Sequence, residues 1–517
     1  MRWLSKLVIL WLIVVAGMLA IAEQPRFGGI LKAAMQTNPP TLDPHLSTTT
    51  ATRQIAVYIF ETLVTYDADY NIIPQLALSW EVSSDGLEYI FHLRQGVKFH
   101  NGKILTADDV VASLKRYQAY APGKRLANVV DISAVDELTV KFTLKQPQDL
   151  ILELANPAIF AAILPAEIIK DRATDVRGEE LIGTGPYRFA EWKPDVYVRL
   201  VRFDEYVPDT RFEGPTGLGG RRTAYFDEIQ FIPVTSPAAR LAGLLTGEFD
   251  YAEELPITSY QQLLNSPGVI ARVLKPRWSI VLELNQGEPP MDNVLFRRAL
   301  VAALDMEAVL RAVTFGNPEF YRLNPSFFFP EQVAWYNDAG AEFYNKPNLD
   351  EVRRLLKEAG YNFEPIIFLS NRDYDWMYKC TLAVASQLQQ AGINVVVEFS
   401  DWPSQIARAL TLKGWHINQT GWSPRLDPTA LGPSLRCGSP SAYNYCNPEV
   451  DKLLDELSKP LPLEEKQRLT RELQQLVWED VGVIKIGDFF SLEGLSAKVK
   501  GYRSWTVIPL FWDCWKE

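Results

Sequence analysis

Between Ile73 and Arg116 the hydrophobic period switches from that of a strand to that of a helix, and turn and cap residues mark both ends of the switch. Asp85-Gly86 is a tight hairpin turn that tolerates positive φ. Leu87, Tyr89, Phe91 and Leu93 alternate behind it, the pattern of a strand with one buried face. Thr106 and Asp109 stand at capping-box spacing, a hydroxyl and a carboxylate that satisfy orphan backbone donors. Val110, Val111, Leu114 and Tyr117 then fall on one helical stripe. Asp108 and Asp109 are therefore first-turn anions favoured by the helix dipole, a structural role.

A chain of 517 residues exceeds what one core holds, so at least two lobes are expected. Hydrophobic residues at 47% and charged residues at 22% are ordinary globular values. The 14 Trp, 21 Tyr and 25 Phe suit a roomy pocket with amphipathic walls as well as a core. A net charge of -11, with no basic run to track phosphates, argues against a nucleic-acid partner.

Residues 1–22 read as a secretory signal peptide, with Arg2 and Lys6 as the positive region, an apolar run from Leu7, and Ala20-Ile21-Ala22 as the cleavage site. The apolar run is shorter than the roughly 20 residues of a membrane span. No cysteine lies near the cleavage point, so a lipid anchor is not expected, and the compartment implied is an oxidising periplasm. There Cys437 and Cys446, flanking a Gly-Ser-Pro loop, read as a local disulfide. Cys380 and Cys514 are left unpaired. No C-x-x-C or comparable spacing suggests a metal site, and no cofactor is expected.

The run Pro74-Gln75-Leu76-Ala77, Ser79-Trp80-Glu81-Val82, Tyr89 to Gly102 and Thr106 to Val110 resembles the solute-binding proteins of peptide-type ABC importers, family 5, the dipeptide, oligopeptide and nickel receptors. Ile182-Gly183-Thr184-Gly185-Pro186-Tyr187 is similar to a second fingerprint of that family; no Lys-Ser or Lys-Thr follows it at P-loop spacing, so it reads as a turn. The resemblance implies an α/β fold of two lobes closing like a flytrap, with an extra subdomain in lobe I. Residues 23–270 would form lobe I, with the extra subdomain at about 67–181. Residues 271–488 would form lobe II, and 489–517 would return to lobe I. Tyr58 to Asp67 is expected as a helix, Arg211 to Gly220 as a surface loop, and Phe511 to Trp515 as a closing strand. In lobe II, amphipathic helices ending at Gly360 and Gly392, and the alternation Ile393, Val395, Val397, Phe399, indicate α/β order.

The same resemblance places a ligand loop at Gly421-Trp422-Ser423-Pro424-Arg425-Leu426-Asp427-Pro428. In the dipeptide and oligopeptide receptors an Asp three residues after this Trp binds the peptide amino group; here that position is Arg425. An arginine forks onto a carboxylate or phosphate, which implies an anionic solute. Asp427 is left to take over part of the acidic role, and the competing reading pairs Arg425 internally with Asp427 or another carboxylate. Arg372-x-Tyr374 matches an Arg-x-Tyr that holds the ligand carboxylate in dipeptide receptors. Trp422 matches a pocket tryptophan, and Trp278 is a candidate from its place near the lobe boundary. Backbone from Gln36 to Asn38 and from Gly421 to Ser423 stands as the strand edges on which an extended ligand would pair.

The expected function is a periplasmic receptor, monomeric, that captures a peptide-like and anionic solute and delivers it to the permease subunits of an ABC transporter in the inner membrane. Nickel chelates and haem are the alternative ligands, with His416 as the metal contact. An enzyme is not expected, since neither G-x-S-x-G nor H-E-x-x-H occurs.

Overall fold

The computed structural model describes residues 24–120, 122–170 and 172–517. The signal peptide read over residues 1–22 lies outside them. No helix among the described residues is long and apolar enough to cross a membrane.

Lobe I opens with β1 (Ile30–Met35) and α1 (Thr50–Ile59). The helix expected over Tyr58 to Asp67 is corrected: α1 ends at Ile59, Phe60 is extended, and Val64–Tyr66 is a short strand. Thr62, Val64 and Thr65 are β-branched and suit a pleated strand. The helix starts instead at Thr49, whose hydroxyl accepts from the Thr52 N–H.

The hairpin of β2 (Ala77–Val82) and β3 (Glu88–Leu93) leads into α2 (Ala107–Ala119), then β4 (Val129–Asp136) and β5 (Thr139–Leu144). These strands form an antiparallel sheet in the order β2-β3-β5-β4. Asp109 accepts from the Thr106 N–H at 3.0 Å, from the Ala166 N–H at 2.8 Å and from Lys103 Nζ at 2.5 Å. Its carboxylate is thereby committed to structure.

The two sequence fingerprints meet at His100. Its N–H donates to the Gly183 carbonyl at 2.9 Å, and its ring joins the Gly183 N–H (3.2 Å) to the Gly185 carbonyl (3.0 Å). Burial lowers the ring pKa to about 4, so it is neutral at pH 7. A Cβ at Gly183 or Gly185 would stand 2.0 or 2.3 Å from the carbonyl oxygens of Ile59 and Tyr58. The glycine-rich fingerprint is thus a close approach of backbone to the end of α1.

Lobe I continues with β6 (Tyr187–Lys193), β7 (Tyr197–Arg202), β8 (Glu228–Pro233), α3 (Pro237–Thr246) and β9 (Tyr251–Leu255). The segment read as a surface loop at Arg211 to Gly220 contains a small hairpin, Pro215–Thr216 against Gly219–Gly220, and buries Leu218 in the lobe core. One apolar side chain inside a polar, glycine-rich run anchors it.

β10 (Val269–Leu284) crosses into lobe II, which holds β11 (Ile366–Asn371), α4 (Asp375–Gln390), β12 (Val395–Ser400), α5 (Trp402–Ala409), β13 (Ile417–Trp422) and α6 (Leu463–Asp480); β14 (Val483–Ser496) crosses back. One eleven-stranded sheet serves both lobes, in the order β12-β11-β13-β10-β14-β9-β1-β8-β7-β6, with Tyr321–Arg322 on β14. β10 and β14 pair antiparallel from Val269 opposite Ser496 to Glu283 opposite Val483. Lobe I and lobe II each have their own hydrophobic core.

The expected closing strand over Phe511 to Trp515 is also corrected. Ile508–Leu510 pairs with Arg503–Trp505, and Trp515–Lys516 pairs with Val499–Lys500. Asp513, at φ 60°, breaks the run between them. Phe511 and Trp512 lie in the break, fully buried against Tyr58.

Candidate functional site

Where β10 leaves lobe I its ladder slips. Pro276 has no N–H to give, and the register with β14 shifts between Leu274 and Trp278. In a regular strand neighbours point to opposite faces; here Arg277 and Trp278 line the same cavity, the guanidinium 4.4 Å from the indole centroid. This irregularity opens a cavity of about 540 Å³ between the lobes. Gln36, Glu254 and Ile257 wall it from lobe I, Trp278 and Phe489 from the crossing strands, and Tyr374, Trp376, Trp402 and Gly421 from lobe II. The volume and the apolar, aromatic walls are those of a small-molecule site.

The lobe I wall is held by Arg240 on α3, whose guanidinium donates to the carbonyls of Val234, Thr235, Glu253 and Glu254 at 2.6–3.1 Å. Those bonds fix Glu254 at φ 47°, a left-handed conformation costly for a non-glycine residue. They also aim its carboxylate at Arg277, which donates to it through Nε at 2.8 Å and brings Nη2 within 2.6 Å of the same oxygen.

The lobe II wall rests on a buried amide chain. Asn371 accepts from the Tyr374 N–H at 3.1 Å and donates to Gln405 at 2.7 Å. Gln405 donates to Asn418 at 2.7 Å, and Asn418 to Glu283 at 3.0 Å. The other oxygen of Glu283 accepts from Trp422 Nε1 at 3.0 Å. Burial raises the pKa of Glu283 against these donors. A network satisfied at each link fixes positions sharply. Asp401 caps α5 by accepting from the Ser404 N–H at 2.9 Å, which sets the Trp402 ring edge-on to Tyr374. Trp376 stacks on Phe489 and lies over Gly421, where a Cβ would come within 2.8 Å of its ring.

The residues singled out in the sequence are distributed unequally. Trp278 and Tyr374 line the cavity. The Trp422 indole turns inward to Glu283, so the glycine before it forms the wall. Asn38 bonds to Asp195, and Gln36, two residues earlier, reaches the cavity. Arg372 lies exposed over Phe399 at 5.0 Å, outside the lining. Asp427 is buried as a helix cap, accepting from the Thr429 and Ala430 N–H groups at 2.8 and 3.3 Å. The sulfurs of Cys437 and Cys446 are bonded to each other, and Cys380 and Cys514 are buried free thiols. His416 has both ring nitrogens engaged by backbone, at Ile367 (2.9 Å) and Pro289 (3.2 Å).

Arg425 packs over Trp422 at 4.9 Å and donates weakly to Ser434 at 3.4 Å; its Nε is buried without an acceptor. Among the described residues no carboxylate lies within ion-pair distance of it. Burial lowers its pKa to about 10, with Glu283 opposing, Arg125 of lobe I adding and Asp427 opposing. It remains charged at pH 7. Trp376, Trp402, Arg277 and Glu254 escaped the sequence reading. An Asp cap followed by Pro at Asp401-Trp402-Pro403 is the signal that could have marked this helix start, but nothing local says which way Trp402 faces.

The lobes also touch beyond the cavity. Lys466 on α6 pairs with Asp149 of lobe I at 2.5 Å, and the Asp149 N–H donates to the Ser458 carbonyl at 2.7 Å. Leu426, one residue past Arg425, is buried in the lobe I core.

The pattern of the bacterial extracellular solute-binding proteins, family 5 Middle, matches residues 71–442. The probable peptide ABC transporter periplasmic-binding protein y4tO of Sinorhizobium fredii is 30% identical over 501 residues, 93% of this chain and 92% of that one. The glutathione-binding protein GsiB of Pectobacterium atrosepticum is 30% identical over 497 residues, 91% of this chain and 90% of its own. The oligopeptide-binding protein AppA of Bacillus subtilis, solved with a nonapeptide, superposes with a TM-score of 0.75 at 22% identity, covering 96% of this chain and all of that one. The match along most of the sequence and the shared two-lobed fold make this chain a member of the family 5 bacterial extracellular solute-binding proteins of peptide-type ABC importers, a family of binding proteins and not of enzymes.

Proposed function

We propose that this receptor captures a peptide-like solute bearing an acidic group, closes its lobes on it, and presents it to the permease subunits of an ABC importer. Arg425, half-buried and outside the lining of the aromatic cavity, carries the acidic specificity: its Nε is shut away from water without an acceptor, a cost that an anion would relieve. The aromatic cavity beside the crossing strands supplies apolar burial, and the backbone at Gly421 offers a strand edge to an extended chain. Relatives named for peptide and for glutathione fit the same chemistry. Micromolar binding is about -8.2 kcal/mol, and a charged hydrogen bond contributes roughly 1.5–3 kcal/mol of it.

The test is a thermal-shift and calorimetric screen of purified protein and Arg425→Gln against neutral peptides, acidic peptides and glutathione. Acidic solutes should raise the melting temperature of the wild type and lose at least about tenfold in affinity with the variant. The ligand-free variant should melt no lower than wild type, because an unpaired buried charge has been removed. Equal binding of neutral peptides by both proteins would make Arg425 structural and the reading wrong.

A further inference from the structure

A second cationic centre lies behind the lobe I wall of the cavity and reaches the lining through Arg277, with Arg53 outside the lining. α1 starts beside the end of β1: the Thr52 hydroxyl donates to the Thr41 carbonyl at 2.7 Å, and Gln54 donates to Glu253 at 2.7 Å. The other oxygen of Glu253 accepts from the N–H of Gln36, a cavity residue, at 2.6 Å. The first turn of α1 contains no acidic residue. It contains Arg53, which bonds only Thr50, at 3.1 Å, and has Nε buried without an acceptor. Among the described residues no carboxylate lies within ion-pair distance of it.

The charge that reaches Arg53 is that of Arg277, a like charge; burial first and this repulsion second lower its pKa to about 10. Arg277 commits Nε and Nη2 to Glu254, while Nη1 is buried without an acceptor. The start of α1 and two guanidinium groups therefore adjoin here, with Glu254 bound to Arg277, Glu253 occupied by Gln36 and Gln54, and Glu493 lining the same small space as Arg277. A cation at the positive end of a helix is unfavourable, and so is a cation beside another out of water. An anion placed among them answers all three elements at once.

We propose that Arg53 and Arg277, at the N-terminus of α1, form an anion subsite on lobe I that takes a second carboxylate of the solute. The receptor then selects solutes with two acidic groups, one held from each lobe. The proposal rests on the reading that Arg425 holds the first.

The experiment titrates wild type, Arg53→Gln, Arg53→Lys and Arg425→Gln by calorimetry. The probes are matched pairs differing by one carboxylate-to-amide change: glutathione and its glycine amide, γ-Glu-Gly and its glycinamide, and Ala-Glu and Ala-Gln. Wild type should prefer the diacid of at least one pair by about tenfold or more. Arg53→Gln should reduce that preference to within about twofold, with Arg53→Lys between, since a lysine keeps charge without the fork. Melting curves establish that the variants are folded. An undiminished preference in Arg53→Gln overturns the subsite while leaving the Arg425 reading intact. Loss of the preference in Arg53→Gln with no effect of Arg425→Gln sinks the Arg425 reading alone. If Arg53→Gln weakens diacid and amide equally, and added inorganic phosphate competes with neither, the subsite holds a free anion and the proposal fails. Failure of wild type to bind any diacid overturns both.

Discussion

Replacing Lys466 by Met should weaken solute binding although the side chain lies outside the cavity. Its ammonium joins Asp149 across the lobes at 2.5 Å, with side-chain exposures of 4% and 18%. On the proposed closure mechanism both groups would regain water when the lobes part, so the pair would contribute to closure alone. Removing one partner of a buried pair costs about 3–5 kcal/mol. Asp149 keeps some exposure and a capping bond to the Leu152 N–H, which reduces the expected cost to about 2 kcal/mol, roughly 30-fold in affinity if the free receptor is mainly open. Asp149→Asn preserves the cap but strands the more deeply buried Lys466 in the first turn of α6, so about 3 kcal/mol, or roughly 150-fold, is expected. Calorimetry on both single variants and the double variant gives the coupling, with small-angle scattering to follow the open form. The double variant should recover at least about 1 kcal/mol over the sum of the singles. Single variants that bind like wild type, or a coupling below about 0.5 kcal/mol, would refute the argument.

Two further outcomes follow from the hinge and from lobe II. Burial pushes the Glu493 carboxyl up to about 7 against the hydroxyls of Tyr251 and Tyr502 and the charge of Arg272. The folded state keeps this proton while the unfolded state releases it near the ordinary carboxylate value, so stability falls as pH rises from about 4.5 to 7. Glu493→Gln should remove on the order of 3 kcal/mol of that loss, seen in melting curves as a gain over wild type at pH 8 that vanishes by pH 4.5; an equal difference at both pH values would contradict it. Reducing Cys437–Cys446 frees a loop of sequence separation 9 and should cost about 2–3 kcal/mol of lobe II stability by chain entropy, measured as a lower melting temperature in dithiothreitol that a Cys437→Ser/Cys446→Ser variant no longer shows.

Legibility in the sequence followed the range of the interactions. The cap at Thr106 and Asp109, the alternation along β3 and the nearby cysteine pair are local signals, and the family fingerprints carried the two-lobed architecture. Tyr58 to Asp67 misled because its apolar content fits a helix, while the β-branched Thr62, Val64 and Thr65 favour the strand that forms. At the site, the Gly421-Trp422 motif marked the right loop, but a motif does not say that the glycine faces the cavity and the indole faces Glu283. Arg277 and Trp278 share a wall only because the ladder slips after Pro276, which breaks the alternation on which strand reading depends. Arg53 stands out only once α1 and β10 are adjacent, more than two hundred residues apart in the chain.

The core of lobe I includes Tyr502, Ile508, Leu510, Phe511, Trp512 and Cys514, and the Tyr58 hydroxyl on α1 is bound at 2.6 Å to the carbonyl of Pro509. A ribosome makes β1 and α1 first, and the segment that covers them only after all of lobe II has emerged. Domains usually fold in the order of their synthesis; here the earlier half waits for the later one. The core of lobe I is therefore completed only by a segment made after the whole of lobe II, which ties the maturation of the first lobe to the end of synthesis.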